Sequence, residues 1–341
     1  MSARRTPRRF VCLYSATPSP QRLRWRPTKT PVEAGRQAVH PAARAWDLGY
    51  AAGWRLVRAL PEPLAVRLFE AGADRAARNG GPNQLRRNLS RVLGVPPAEV
   101  PHTLIRASLR SYARYWREAF RLPSMDPVRL ADVIESSATG LEHIHRAVER
   151  GTGAVLALPH SGNWDLAGVW LVQRVGSPTV VAERLAPESL FQRFVRFREG
   201  LGFEIIPLTG GAEPPFPQLV ARIRQGRIVG LLGERDLSGA GVPVTFFGEP
   251  ARLPAGPARL AIDTGAPLLP VHCWYTPDGW GFHVDSPIDT SGGVHSTTQA
   301  LADRFAAGIA AHPADWHMLQ PLWTADLTAR RLARRDMTPQ D

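Results

Sequence analysis

The apolar positions change period partway along the chain, and the change divides it in two. Between Ala45 and about Leu122 the period is helical. Trp46, Tyr50, Trp54, Val57 and Leu60 recur at spacings of 4, 4, 3 and 3, which is one face of an α-helix. Arg44, Arg55 and Arg58 border that face, and Pro61 and Pro63 end it. Ile105, Leu109, Tyr112, Trp116 and Phe120 make a second stripe, with Arg106, Arg110, Arg114, Arg117 and Arg121 running beside it as a ladder. After Pro123 short apolar runs alternate with helical stretches. The runs predict strands at Ala154–Leu158, Thr179–Ala182, Glu204–Pro207, Ile228–Leu232, Leu268–Trp274 and Trp280–Val284. Helices are predicted at Leu166–Gln173, Pro187–Leu201, Pro217–Arg224 and Pro254–Thr264. Strands joined by helical crossovers imply an α/β fold: a mainly parallel, twisted sheet flanked by helices, beside an N-terminal helical layer. Ligands of such sheets bind at the carboxyl ends of the strands. His160 follows the first predicted strand and Glu234 the fourth, so both fall on that edge.

Residues 1–43, rich in Arg, Pro, Ser and Thr without either period, read as a basic disordered tail or a start site placed too far upstream. Residues 44–122 read as a helical membrane-associating region. Residues 123–330 form the α/β core, one globular unit with that region, and 331–341 a basic C-terminal tail. No run of about 20 apolar residues exists, so no membrane-spanning helix is expected. Two cysteines, Cys12 and Cys273, make no disulfide framework and point to a reducing compartment.

Charge sharpens the division. Residues 1–122 hold 23 Lys and Arg against 7 Asp and Glu, whereas residues 123–341 hold 19 against 23, so the first third carries all of the net +12. A basic region with interleaved aromatics suits an anionic surface. A helix with Trp and Tyr on one side and Arg on the other can lie among lipid headgroups. Alternatively, the aromatics face the core and the arginines are solvated. No nucleic-acid reader motif accompanies the basic stretch, so no nucleic-acid partner is expected.

The most informative segment is His160-Ser161-Gly162-Asn163-Trp164-Asp165, a turn between a predicted strand and a predicted helix. With His160 on the turn and Asp165 in the first helical turn, the two side chains can fold together. A carboxylate on one imidazole nitrogen leaves the other free to take a proton, which makes a general base. A serine nucleophile at Ser161 lacks the Gly-x-Ser-x-Gly elbow, and Ser161 reads as a turn or capping residue. His143-x-His145 and His272-Cys273 lack further ligands at matching spacing, so no metal is expected.

His-x4-Asp on such a turn resembles the first motif of the glycerolipid-type acyltransferases, and the Asn163-Trp164 filling is similar to the branch that includes the bacterial lipid A acyltransferases. Leu231 to Leu237, with Glu234-Arg235, and Val244 to Pro250, with Phe246-Phe247-Gly248, resemble a second block of that family. Pro159 to Val172, Ala182 to Leu185 and His312 to Pro321 resemble its actinobacterial branch, which acylates phosphatidylinositol mannosides. The likeness runs from about Ala45 to about Leu327.

The resemblance implies transfer of a fatty acyl group, palmitoyl, from acyl-CoA to a mannose hydroxyl of a phosphatidylinositol mannoside. His160 is then the base, oriented by Asp165, and the amides of Gly162 and Asn163 at the helix start suit the developing oxyanion. It implies that Glu234 is a catalytic residue with His160 and Asp165, in contact with the acceptor, and that Arg235 pairs with Glu234 or binds a phosphate. Glu183, Arg198 and, more weakly, Arg184 become acceptor or phosphate contacts. Phe246-Phe247-Gly248 and Pro254-Ala255-Gly256-Pro257 become the floor and lip of the pocket. Acyl-CoA enters as donor substrate and no cofactor is expected. The protein is expected as a peripheral monomer on the anionic cytoplasmic face of the plasma membrane. The alternatives are a lipid A-type acceptor or a basic membrane- or nucleic-acid-binding protein without catalysis.

Overall fold

A strand that is buried on both faces and apolar throughout belongs at the centre of a parallel sheet, and Ala154–Leu158 is such a strand. In the computed structural model, which describes residues 53–327 apart from 186, 237 and 238, all five of its residues are buried. The segments read above as tails, 1–43 and 331–341, lie wholly outside the described residues, as do Trp46 and Tyr50.

The chain enters through the helices α1 (Glu62–Ala76), α2 (Asn83–Leu93) and α3 (His102–Arg121). There follow α4 (Pro127–Ser137), β1 (Ala138–Thr139), α5 (Glu142–Glu149), β2 (Ala154–Leu158), α6 (Trp164–Arg174), β3 (Thr179–Ala182), α7 (Glu188–Gly200) and β4 (Glu204–Pro207). The remainder is α8 (Pro215–Arg224), β5 (Ile228–Leu232), β6 (Val242–Phe246), β7 (Glu249–Leu253), α9 (Gly256–Thr264), β8 (Leu268–Thr276), β9 (Gly279–Val284) and α10 (Gly293–Ala311). Seven strands form one sheet in the order β1-β9-β8-β2-β5-β3-β4. Only β8 and β9 pair antiparallel in it. One core, with Leu219, Leu260, Leu301 and Phe305, fills one side. A second, with Ile134, Leu166, Trp170 and Phe282, fills the other. The mainly parallel sheet flanked by helices is as the periodicity predicts.

Sheet register decides what the carboxyl edge can do. In the parallel β2–β5 pair, Leu158 stands opposite Leu232. Two residues on, each strand delivers one site residue, His160 from one and Glu234 from the other. They come from neighbouring strands and emerge side by side.

The hairpin β6–β7 and the helix α10 were not predicted. Pro243 and Pro250 interrupt the hairpin's strand pattern, and α10 opens on glycine without a capping side chain. The hairpin also corrects an expectation. Phe246 is fully buried against Trp316 and Trp323, and Phe247 packs on Trp323. Phe246 belongs to the core, and half-buried Phe247 borders a different cavity beside α2, with Arg87 and Glu249.

The arginine ladder is also unlike either reading of it. Arg106 and Arg110 both donate to Asp74, Arg117 and Arg121 pair with Glu62, and Arg121 also donates to the carbonyls of Val57 and Leu60. Arg114 donates to Glu118 at 2.7 Å and to the carbonyls of Thr276 and Gly279. The ladder therefore fastens α1 and the β8–β9 hairpin to α3. The apolar stripe turns partly inward: Ile105 and Leu109 are buried, and Tyr112, Trp116 and Phe120 are half-buried. What α1 leaves outside is Leu64 at 50% and Leu68 at 56% exposure, one turn apart, with Leu56 also exposed and Arg67 alongside. Among the described residues, no helix is long and apolar enough to cross a membrane.

Candidate active site

His160 lies on the turn after β2, partly exposed, and Glu234 lies beneath it with 0% exposure. The His160 Nδ1 to Glu234 Oε1 distance is 2.7 Å, and the His160 backbone N–H donates to the same oxygen at 2.6 Å. Burial by itself opposes ionisation of Glu234, but the charge of His160 and its hydrogen bonds outweigh it and hold the carboxyl below its ordinary range. A carboxylate accepting from Nδ1–H fixes the tautomer in which Nε2 is the free base. The turn's backbone requires glycine at 162. Gly162 has φ +55°, and a Cβ there would stand 2.6–2.7 Å from the backbone of Cys273 and Trp274.

Asp165, the carboxylate expected to orient His160, faces elsewhere. Arg198 Nε donates to its Oδ1 at 2.8 Å and the Tyr115 hydroxyl donates to its Oδ2 at 3.0 Å. Asp165 sits in the first turn of α6, which carries its side chain back toward α3 and α7, whereas Glu234 emerges beside His160 on the adjacent strand. Burial lowers the Arg198 guanidinium's affinity for its proton, but Asp165 more than reverses this and raises it. The pair ties α6 to α7 and, through Tyr115, to α3. The Tyr115 ring stacks on Trp164 at 4.2 Å. Arg198 is thus committed to Asp165, although it also borders the cleft.

A cleft of about 300 Å³ opens at this edge, with His160, Glu183, Arg198 and Arg235 among its lining residues. Four of the nominated residues therefore meet there. Arg235 pairs with Glu183 at 3.8 Å and not with Glu234. Arg184 does not line the cleft: it pairs with Glu188 and donates to the Gly210 carbonyl. The Gly162 amide donates to the Asp315 carbonyl at 2.9 Å, which removes it from the oxyanion role. Asn163 is the helix cap in place of Ser161. Its Oδ1 accepts from the Leu166 amide, and its Nδ2 donates to the buried carboxylate of Glu118.

One face of α3 carries site residues that no motif marks. Ser111, Tyr115 and Glu118 stand at i, i+4 and i+7, and each bonds to a residue at or near the carboxyl edge of the sheet. Their spacing, parallel to the aromatic stripe, was the available signal. An apolar cavity lies between the sheet and α4–α6, lined by residues such as Leu156, Leu171, Val180 and Phe203. It shares Trp164, Val181, Arg198 and Leu232 with the cleft.

Comparisons with known proteins agree with one another. Residues 36–325 match the family model described as bacterial lipid A biosynthesis acyltransferase. The chain is 64% identical over 289 residues to a protein of Mycolicibacterium smegmatis named phosphatidylinositol mannoside acyltransferase, covering 84% of this chain and 94% of that one. It is 61% identical over 291 residues to a Mycobacterium tuberculosis protein of the same name, covering 85% and 92%.

Proposed function

Because the chain belongs to the bacterial lipid A biosynthesis acyltransferase family and is an acyltransferase, we propose that it moves a palmitoyl group from acyl-CoA to a mannose hydroxyl of a phosphatidylinositol mannoside. His160 is the general base and Glu234 its orienting carboxylate. The observation that carries this reading is the 2.7 Å contact between His160 and a fully buried Glu234 at the rim of a cleft that adjoins an apolar cavity.

In the first step the acceptor oxygen attacks the thioester carbonyl carbon while His160 Nε2 takes the hydroxyl proton. Glu234 stabilises the imidazolium that results, and a base of this kind contributes roughly 10²–10⁴ in rate. As the tetrahedral intermediate collapses, the C–S bond breaks and the imidazolium returns its proton to the leaving thiolate. The sugar is then an ester and His160 is neutral again. The apolar cavity suits the acyl chain, whose burial is worth about 0.8 kcal/mol per CH₂. The Glu183–Arg235 pair, which also lines the cleft, supplies polar groups for the sugar and phosphate of the acceptor.

The reaction belongs at the cytoplasmic face of the plasma membrane, with the protein attached peripherally as a monomer. Support comes from the exposed Leu56, Leu64 and Leu68 beside Arg55, Arg58 and Arg67, and not from the arginine ladder, whose charges are neutralised within the fold.

The test is a transfer assay with radiolabelled palmitoyl-CoA and a panel of phosphatidylinositol mannosides, lipid A precursors, lysophospholipids and water. Label appearing on the mannoside, and lost in His160→Ala, is the expected result. Label passing only to a lipid A precursor or to water overturns the acceptor assignment.

A further inference from the structure

Besides its bonds to Glu234 and Glu118, the turn that carries His160 is held from both sides by other parts of the chain. On one side Cys273 and Trp274 of β8 press against Gly162. On the other lies the segment Asp315-Trp316-His317. The His317 amide donates to the His160 carbonyl at 2.7 Å, the Gly162 amide donates to the Asp315 carbonyl at 2.9 Å, and Ser161 and Trp316 form an antiparallel bridge between them. This segment is a one-bridge strand laid on the residue that carries the base and on its two successors.

The segment is itself anchored by side chains. Trp316 is fully buried in the core. The Asp315 carboxylate accepts from the Ser111 hydroxyl at 2.6 Å and from the Tyr275 amide at 2.9 Å. Ser111 has one proton, and it goes to Asp315. Its oxygen is then the acceptor for His317 Nε2–H, 2.9 Å away. A carboxylate, a hydroxyl and an imidazole thus lock the segment to α3 and to the end of β8. Burial, and then the charge of His160, push the His317 ring down to about 3, so that at neutral pH no second positive charge faces the base.

We propose that Ser111 and Asp315 are positioning residues for acyl transfer: through the 315–317 segment they set where the His160 imidazole stands. This rests on the reading of His160 as the general base. Neither residue lines the cleft that holds His160; both are largely buried and border a separate cavity of about 200 Å³ beside α1 and α3, so they act on His160 through the turn. A base displaced by a fraction of an ångström loses its line to the acceptor hydroxyl while the walls that bind both substrates stay where they are.

The experiment uses the full chain with palmitoyl-CoA and a phosphatidylinositol mannoside, and compares Ser111→Ala, Asp315→Asn, the double variant and Ser111→Thr, with rates referred to the folded fraction. Either single variant should lower kcat about ten- to a hundredfold while KM for both substrates stays within about twofold. The double variant should be little worse than the poorer single, because the two act through one lock. Ser111→Thr, which keeps the hydroxyl, should recover most of the loss. An unchanged kcat in both singles, a rise in KM alone, or losses that multiply in the double would overturn the proposal. If wild type transfers label and His160→Ala does not, such a result removes the clamp alone. If His160→Ala is as active as wild type, the general-base reading itself fails.

Discussion

The turn after β5 and the first turn of α6 each bury a carboxylate beside the same cleft, and they use it differently. Asp165, 1% exposed, is matched by a guanidinium that stays charged at any working pH and by a tyrosine hydroxyl. Glu234, 0% exposed, is matched by an imidazole, the side chain whose charge changes near neutrality. A buried carboxylate with a permanent cation is a tie between helices. The same group with a titratable partner can follow a proton. The identity of the partner, more than the depth of burial, separates scaffold from chemistry here.

Three variants test that contrast and a fourth the exposed leucines, from the largest effect on turnover to the smallest. His160→Ala should lower transfer by about 10²–10⁴ per folded molecule, with a measurable loss of stability because Glu234 is then buried without its partner; turnover near wild type would sink the base. Glu234→Gln preserves shape but removes the charge that steadies the imidazolium, and should cost somewhat less, about 10²-fold or more. Its stability signature has a definite sign. The folded carboxyl lies below its ordinary 4.5, so its contribution is complete above that pH and is lost as pH falls through the folded value. Thermal melts should therefore show the wild-type advantage over Glu234→Gln shrinking as the pH drops below about 4.5.

Asp165→Asn leaves Arg198 buried without its counter-charge. Breaking such a pair costs about 3–5 kcal/mol, read by denaturant unfolding, with a smaller loss of turnover per folded molecule. Last, Leu64→Gln with Leu68→Gln should weaken binding to anionic vesicles and leave turnover on detergent-dispersed substrate within about twofold of wild type. Vesicle binding that survives this change but fails in Arg106→Gln would return the membrane contact to the ladder.

The architecture was largely legible because period alone carries it. Four of the six strands predicted, Ala154–Leu158, Thr179–Ala182, Glu204–Pro207 and Ile228–Leu232, have the predicted ends. Their apolar runs are bounded by turns and buried by helices. The turn that carries His160 was legible as well, since an imidazole at a strand-to-helix junction stands out locally. Its partner was not. His160 and Asp165 are close in sequence and invite pairing, whereas His160 and Glu234 meet only because β5 inserts beside β2, a fact of strand order that no local pattern records. The same holds for Ser111, Glu118, Asp315 and His317, each an ordinary polar residue until tertiary packing assigns its neighbour. The arginine ladder failed for the opposite reason. Its period was read correctly, but the acids that neutralise it, Glu62 and Asp74, lie on a helix whose own pattern was not resolved.

The most direct measurement sets Glu234→Gln and Asp165→Asn side by side in the palmitoyl-CoA transfer assay, with each rate divided by the folded fraction. The account predicts that Glu234→Gln loses the greater share of turnover per folded molecule and Asp165→Asn the greater share of stability. The reverse order, with Asp165→Asn inactive when folded and Glu234→Gln nearly normal, would contradict it and restore Asp165 as the residue that orients the base.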